Sequence, residues 1–305
     1  MKIGIIGNGT HSKRIQKILT SKKLNFLVYK PAKPKYFDFK EFQKIKKCKI
    51  IFIVSPDFTH FKYIKELYKN RYIFCEKPPA NNKNELTMLK KLKLEKVFFN
   101  FNFRFLKISE IFKNRNKYKL GNLIYANIIS SHGLALKKEY KENWRSNIKK
   151  SPKGIFQIVS IHYIDLINYH FNVKKINKPK LFNLSKVGNG FDTSSVEIEL
   201  KNKAMVNIFT TYTSAYAKKF FFLFENGIIE QDENTLSIRG PAINLDEKGF
   251  FKKAKLKKKI IINQKIDTEN SLYKSINFFF SIVQNKKKFQ KRIVECSLKS
   301  NSLIV

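Results

Sequence analysis

A glycine-rich turn close to the start of the chain restricts the fold more than any other segment. Residues 3–6 read Ile-Gly-Ile-Ile, which is typical of a buried strand, and the next residues are Gly7-Asn8-Gly9-Thr10-His11-Ser12. The segment matches G-x-G-x-x-G with a small serine at the third glycine position. A predicted helix follows at once, so its free N–H groups and partial positive charge would face an anion. The turn therefore predicts a dinucleotide phosphate site.

Strand and helix patterns alternate with short links from this turn to about residue 105. This order is typical of a doubly wound parallel sheet, and we assign residues 1–120 to an N-terminal Rossmann domain of α/β class. The further strands are predicted at Leu24–Tyr29, Lys49–Val54, Tyr72–Cys75 and Val97–Phe101, and two helices at Thr59–Lys69 and Asn84–Leu94.

The pattern changes in the second half of the chain. Alternating apolar residues predict strands here, and the pair Asn226-Gly227 predicts a hairpin turn. Residues 121–305 are therefore expected to form an α+β domain with an open, mainly antiparallel sheet. The predicted strands are Leu123–Ser131, Thr193–Lys201, Ala204–Thr211 and Phe220–Phe224, and the predicted helices are Gly154–Phe171, Ser271–Gln284 and Gln290–Val305.

The net charge of +39 raises the question of a polyanionic partner. Only seven of the 62 basic residues are arginines, and the lysines are spread along the whole chain. Nucleic-acid sites favour Arg for bidentate contacts, so a polyanion-binding protein is the least favoured function class, and we expect no specific nucleic-acid partner. A basic surface also attracts anionic small molecules such as sugar nucleotides.

The cysteines and the apolar runs bear on cellular location. Cys48, Cys75 and Cys296 are widely separated, which suits neither a disulfide framework nor a zinc site, so no metal is expected. No apolar run is long enough for a signal peptide or a membrane span. The sequence thus predicts a cytoplasmic protein without a membrane-spanning segment.

The end of the second predicted strand bears on the choice of cofactor. An acidic residue normally follows this strand and holds the ribose hydroxyls of NAD. Here the strand ends Val28-Tyr29-Lys30-Pro31, without an acid, and Lys30 and Lys33 are available to pair with a 2′-phosphate. This favours NADP over NAD.

Three further motifs lie in a characteristic order after the turn. Together with the turn they make the chain similar to the Gfo/Idh/MocA family of oxidoreductases (glucose–fructose oxidoreductase, inositol dehydrogenase and relatives), and the resemblance covers nearly the whole chain. The motifs are Val54-Ser55-Pro56-Asp57-Phe58-Thr59-His60, then Cys75-Glu76-Lys77-Pro78, and then Asn143-Trp144-Arg145 ahead of Gly154 and His162-Tyr163-Ile164-Asp165.

The resemblance implies an NAD(P)-dependent enzyme that oxidises or reduces a sugar or sugar-nucleotide carbon. It implies catalytic roles for Lys77 and His162, and an oligomer formed through the open C-terminal sheet. The chemistry gives the first of these a reason, because hydride leaves a carbinol carbon only as its hydroxyl proton is removed. An ammonium beside that oxygen also stabilises the developing alkoxide.

Other site residues are carried over by resemblance alone. Substrate-binding roles are implied for Arg104, Trp144 and Asp165. Three residues keep a structural alternative: Trp144 as a core anchor, Asp165 as a local cap, and the proposed catalytic His162 as a satisfied core histidine. The cofactor-binding positions implied are Gly7, Asn8, Gly9, Thr10, His11, Ser55, Pro56, His60, Glu76 and Arg145.

One position departs from the family pattern. Many members carry an aspartate four residues before the histidine, and this chain has Ile158 there. Gln157 is adjacent but would point to another side of an α-helix. The departure leaves two readings open. One is an enzyme with a shifted substrate, with surface glycan synthesis as the suggested pathway, and the other is a weakly active or silent nucleotide-binding regulatory protein on the same fold.

Overall fold

The computed structural model describes residues 2–30, 39–240 and 245–305. Lys33, one of the two lysines expected to meet a 2′-phosphate, lies outside these ranges. Within them, no helix combines the length and the apolar character needed to cross a membrane.

The N-terminal part is a five-stranded parallel sheet in the order β2-β1-β3-β4-β5. Strands β1, β3 and β5 are buried along their whole length, as expected for a sheet covered on both faces. The predicted doubly wound sheet is confirmed. Its elements are β1 (Ile3–Ile6), α1 (Thr10–Ser21), β2 (Phe26–Tyr29), α2 (Phe39–Lys46), β3 (Ile50–Ile53), α3 (His60–Leu67), β4 (Tyr72–Glu76), α4 (Lys83–Lys90) and β5 (Val97–Asn100).

The rest of the chain forms a nine-stranded sheet with helices. The order is β14-β13-β12-β11-β6-β10-β9-β7, with β8 also paired to β9. β6 and β10 pair in parallel and the other described pairs are antiparallel, which confirms the predicted fold class. The elements are α5 (Lys107–Lys113), β6 (Leu123–Ser131), α6 (Ile161–His170), β7 (Val173–Ile176), β8 (Lys180–Phe182), β9 (Thr193–Leu200), β10 (Met205–Thr211), β11 (Ala217–Phe224), β12 (Gly227–Gln231), β13 (Thr235–Arg239), β14 (Leu256–Ile261), α7 (Gln264–Gln284) and α8 (Lys291–Ser302).

The chain divides into two compact units, 1–101 with 273–305, and 102–272. These ranges differ from the 1–120 and 121–305 expected from sequence, because the last helices pack on the parallel sheet. The ring of Phe279 lies 5.5 Å from those of Phe52 and Phe74 and 6.3 Å from that of Phe98. Aromatic residues near the C-terminus thus complete the first unit.

The large sheet covers a core on one face only. Val206 and Ile208 of β10 are buried, whereas Phe209 on the opposite face is 37% exposed. On the buried face the Ser160 hydroxyl lies 2.9 Å from that of Ser194 and 2.7 Å from the Thr210 hydroxyl. The helical segment that carries His162 is therefore fixed against the sheet of the second unit.

Candidate active site

The glycine-rich turn has the geometry that its sequence predicts. Gly7 has φ of +109°, and a Cβ there would lie 2.6 Å from the carbonyl oxygen of Val54, so only glycine fits. Ser12 is buried and its hydroxyl donates to the Gly7 carbonyl at 2.8 Å, which explains a serine at the third glycine position. Gly9 stands just before α1, and a Cβ there would meet no atom within 4 Å. The turn leaves open space where a pyrophosphate would approach.

We expect Gly9→Val to weaken cofactor binding without unfolding the protein. Gly9 has φ of −77°, so a branched side chain is sterically allowed in the free protein. The same side chain would occupy the space of the pyrophosphate, and overpacking of about 1–3 kcal/mol corresponds to a Kd roughly 5–150-fold higher. Fluorescence titration with reduced cofactor measures the affinity, and thermal unfolding is the control. Unchanged affinity in the folded variant would remove the turn from the site.

Glu76 at the end of β4 connects the turn to the loop that carries Lys77. Its Oε1 lies 2.8 Å from His11 Nε2 and accepts from Asn100 Nδ2 at 2.7 Å, and Asn100 accepts from the Ser275 hydroxyl at 2.6 Å. Burial alone raises the pKa of Glu76, but the charge and hydrogen bond of His11, the hydrogen bond of Asn100 and the charge of Lys77 lower it to about 2. A buried carboxylate therefore fixes the first turn of α1 against the end of β4.

Lys77 follows this carboxylate directly and is half-buried. It stands after the carboxyl end of β4, and the glycine turn follows the carboxyl end of β1. Ligands of open parallel sheets bind outside this edge. One edge of the first unit therefore carries both the phosphate-binding turn and the lysine expected to handle a proton.

His60 is buried and joins two loops at the same edge. Its Nδ1 lies 2.8 Å from the Pro78 carbonyl oxygen and its Nε2 lies 2.9 Å from that of Ser55. The Ser55 hydroxyl lies 2.6 Å from that of Thr59, and Pro56 is half-buried. The ring of His60 thus positions the loops after β3 and β4, and its predicted direct contact with cofactor stays a prediction.

Lys30 follows β2 and is exposed. The carbonyl of the preceding Tyr29 accepts from the Gly7 amide at 2.9 Å, so the end of β2 adjoins the glycine turn. No acidic residue occurs within 26–30. The position is open to a cofactor substituent and lacks the carboxylate that usually binds the ribose hydroxyls.

In the second unit, Arg104 and Asp165 pair with each other. The guanidinium donates through Nε to Asp165 Oδ2 at 2.8 Å and through Nη2 to Oδ1 at 2.6 Å. The two residues are 3% and 0% exposed, and the guanidinium lies 4.8 Å from the centroid of the Tyr169 ring. The bidentate pair favours a role in holding α6 for both residues over the substrate contact that the resemblance implies.

His162 is half-buried and its ring stacks on Phe103, with the centroids 4.5 Å apart and an interplanar angle of 23°. Phe103 belongs to the 3-10 turn Asn102–Phe105, which also supplies Arg104. This turn therefore contacts α6 at two points, the stacked imidazole of His162 and the ion-paired Asp165.

The helix before His162 differs from the single α-helix expected over 154–171. Residues Phe156–Ser160 are a π-helix, in which hydrogen bonds run from i to i+5, and α6 begins only at Ile161. The α-helical spacing that placed Gln157 on another side from His162 therefore does not apply. Gln157 and Ile158 are both buried, and the Gln157 Oε1 accepts from the Lys153 amide at 3.0 Å.

Trp144 and Arg145 lie in a 3-10 turn of the second unit. The Arg145 guanidinium lies 4.3 Å from the centroid of the Trp144 ring, and its amide donates to Asn143 Oδ1 at 3.1 Å. Trp144 is half-buried, so it is no fully enclosed core anchor. Their expected contacts with substrate and cofactor stay predictions.

Some positioning residues have no signal in the sequence motifs. Asn100 and Ser275 complete the network around Glu76, and Phe103 supports His162. Asn100 lies near the end of the predicted fifth strand, Val97–Phe101, and Phe103 follows it, at the edge where ligand-side residues collect, and this position was the available signal. Ser275 lies in a C-terminal helix and had none.

Comparison with known proteins supports this reading of the motifs. Residues 8–97 match the family model GFO_IDH_MocA, described as an oxidoreductase family with an NAD-binding Rossmann fold. The N-terminal part of the chain is thus similar to the Gfo/Idh/MocA family of oxidoreductases. The chain is 27% identical over 179 residues to glucose-6-phosphate 3-dehydrogenase of Bacillus subtilis (strain 168), over 54% of the chain and 51% of that relative. The match thus spans about half of the curated relative.

Solved structures share the fold of this chain over its whole length. The dehydrogenase MviM of Clostridium difficile has a TM-score of 0.72 at 20% identity, covering 100% of this chain and 97% of that one. Myo-inositol dehydrogenase of Corynebacterium glutamicum has 0.70 at 18%, covering 100% and 94%. Levoglucosan dehydrogenase, solved with NADH and levoglucosan, has 0.77 at 14%, covering 100% and 95%.

Proposed function

We propose that this protein transfers hydride between a nicotinamide cofactor and a CH–OH carbon of a sugar or sugar nucleotide. The observation that carries the proposal is the buried Glu76, which joins His11 of the phosphate-binding turn to the loop of Lys77. A phosphate-binding turn with open space at Gly9 and a half-buried lysine at the same sheet edge are what hydride chemistry on a hydroxyl needs.

Lys77 and His162 are the proposed proton-handling residues. The bound nicotinamide supplies the hydride acceptor or donor. Lys77 takes up or returns the hydroxyl proton, and its ammonium form stabilises the alkoxide that develops as hydride leaves. The reaction releases or takes up one proton besides the hydride, and His162 is the second candidate to accept or supply that same proton. Trp144 and Arg145 stay candidates for contacts with substrate and cofactor.

Anionic sugars are the favoured substrate class. The relative matched over half its length is named for glucose 6-phosphate, and the net charge of +39 attracts phosphorylated molecules. We extend the proposal to sugar nucleotides used for surface glycans. The argument for this extension is that a sugar nucleotide is also a phosphorylated sugar.

Turnover by the purified chain tests the proposal against its alternative. The buried, apolar Ile158 at the usual carboxylate position is what favours a silent nucleotide-binding protein. A panel of hexoses, hexose phosphates and sugar nucleotides is assayed with NAD and NADP by nicotinamide absorbance. Turnover on a phosphorylated sugar is expected. Cofactor binding without turnover on any member would support the silent alternative.

NADP is expected to bind more tightly than NAD. Lys30 is exposed beside the turn and no acid occupies this strand end, so a 2′-phosphate gains a charge partner. Lys30→Glu should reduce the preference by roughly 10-fold, the effect of about 1.4 kcal/mol. Lys17→Glu on α1 makes the same charge change at an exposed position and should not alter it. Tighter binding of NAD to the unaltered protein would contradict the prediction.

The open face of the large sheet is the proposed oligomer contact. Phe209 is 37% exposed on this face, and Phe221 and Leu223 of β11 are half-buried there. We expect light scattering to show an oligomer at micromolar concentration and Phe209→Glu to give monomers, because a carboxylate is costly to bury in an apolar contact. Leu136→Glu, at a 67% exposed loop position, is the control. A monomeric unaltered protein would rule out the contact.

A further inference from the structure

Lys218 of β11 is a buried charge that the proposed reaction does not use. The residue is 6% exposed, whereas the next residue, Lys219, is exposed on the opposite face of the sheet. Its ammonium donates to the Thr268 hydroxyl at 3.4 Å, at the long end of the hydrogen-bond range. A buried ammonium is costly unless nearby groups compensate it, so its position needs a physical reason.

Aromatic rings provide most of the surroundings of this ammonium. Nζ lies 4.6 Å from the centroid of Phe103 and 5.7 Å from that of Phe220, both within the range of cation–π attraction. Phe103 is also the ring on which His162 stacks at 4.5 Å. One aromatic ring of the second unit therefore contacts both the ammonium and the imidazole.

We propose that Lys218 is a positioning residue for His162: its ammonium, held against the Phe103 ring, fixes the stacked imidazole and favours its neutral form. A neutral imidazole can accept a proton, whereas an imidazolium cannot. A nearby positive charge disfavours protonation of the ring. The inference rests on the proposed function, because the protonation state of His162 matters to the reaction only if His162 handles a proton.

Other charged and titratable groups surround this arrangement. Burial lowers the pKa of Lys218 to about 8, and the charge of Asp267 on α7 opposes that shift. On α6, burial raises the pKa of the Tyr163 phenol, which stays neutral near neutral pH. Arg104 and Asp165 next to Phe103 neutralise each other. Of the groups named here, Lys218 is the one whose pKa is lowered to about 8.

The sign of the effect follows from this charge. Below about pH 8 Lys218 is protonated and opposes protonation of His162, and above it the opposition disappears. Removing the charge by Lys218→Met should therefore raise the titration midpoint of His162, on the order of half a pH unit. Lys219→Met, one residue along the strand on the other face, should leave it unchanged.

Nuclear magnetic resonance of the imidazole rings in the full chain measures this without substrate. The chain has five histidines, so the ring signals can be assigned, with His162→Gln identifying the one of interest. A higher midpoint in Lys218→Met and an unchanged one in Lys219→Met are expected. An unchanged midpoint in Lys218→Met would overturn the proposal.

A second measurement, on the unaltered protein, tests the proposal if the Lys218→Met variant does not fold. In the unaltered protein the His162 ring signal should show a second inflection near pH 8, as Lys218 loses its proton. Its absence would also overturn the proposal. If the coupling is present and the protein turns over no sugar, the proposed function fails and the ring coupling stands, so the two failures are distinguishable.

Discussion

Replacing Lys77 by alanine is expected to lower turnover by about 10²–10⁴-fold, the contribution typical of a positioned acid–base group. The cofactor affinity should change little, because Glu76, His11 and Asn100 hold the edge of the first sheet without the Lys77 side chain. Steady-state kinetics on the identified substrate and a cofactor titration measure the two quantities separately.

Two companion variants sharpen this result. Lys83→Ala removes an exposed lysine at the start of α4 and should leave turnover unchanged. This control distinguishes the loss of Lys77 from a general loss of positive charge in a very basic chain. His162→Ala should cost less than Lys77→Ala if Lys77 alone completes the proton transfer, or a similar amount if the two act as a unit. Full turnover in Lys77→Ala would make the proposed mechanism wrong.

Breaking the Arg104–Asp165 pair should lower the free energy of unfolding by about 3–5 kcal/mol, because either single substitution removes one partner of a buried, bidentate ion pair. Arg104→Met and Asp165→Leu are the single variants, measured by denaturant titration. The double variant should recover much of the loss, since an apolar pair of similar volume is often tolerated.

A surface ion pair of the same unit provides the matched control. Lys174 lies at 2.6 Å from Glu199, but its side chain is 56% exposed, and Lys174→Met should cost less than about 1 kcal/mol. If the Arg104 and Asp165 variants are as stable as this control, the pair does not hold α6. Reduced substrate affinity at full stability would instead favour the substrate-binding role implied by the family resemblance.

The sequence predicted the first sheet well because its strands carry strong local signals. β1 and β3 are continuous runs without a polar side chain, β5 is apolar up to Asn100, and the turn at Gly7 directly follows β1. Helix α2 had a weaker signal, since its eight residues include only three apolar side chains, Phe39, Phe42 and Ile45, and the remainder is polar. Three apolar residues within eight are too short a run to establish a helical period.

The features of the fold that the sequence did not predict depend on long-range packing. The boundary of the first unit depends on Phe279 and its neighbours meeting strands over 180 residues earlier in the chain, which no local pattern reveals. The hairpin after β11 was predicted, but its two-residue turn is 225–226, and Gly227 begins β12. A Cβ on Gly227 would lie only 2.7 Å from Leu120 Cδ2, so packing places this glycine in the strand.

The residues of the candidate site fall into the same two groups, those with a local sequence signal and those that depend on tertiary contacts. The motifs gave the residues at the sheet edge, including Gly7, Gly9 and Lys77, because each follows a recognisable strand. The π-helix before His162 has no signature in the sequence, so the relation of Gln157 to the histidine could not be obtained from α-helical spacing. The partners of Glu76 and His162 likewise depend on tertiary contacts.

Transfer of labelled hydride tests the central claim most directly. Reduced nicotinamide cofactor carrying deuterium at C4 is incubated with the full chain and the keto form of a phosphorylated sugar, and the product is analysed by mass spectrometry and by nuclear magnetic resonance. The account predicts deuterium on a single carbinol carbon of the sugar, with the rate lowered about 10²–10⁴-fold in Lys77→Ala. Bound cofactor without transfer of deuterium to any phosphorylated keto sugar tested would contradict the account.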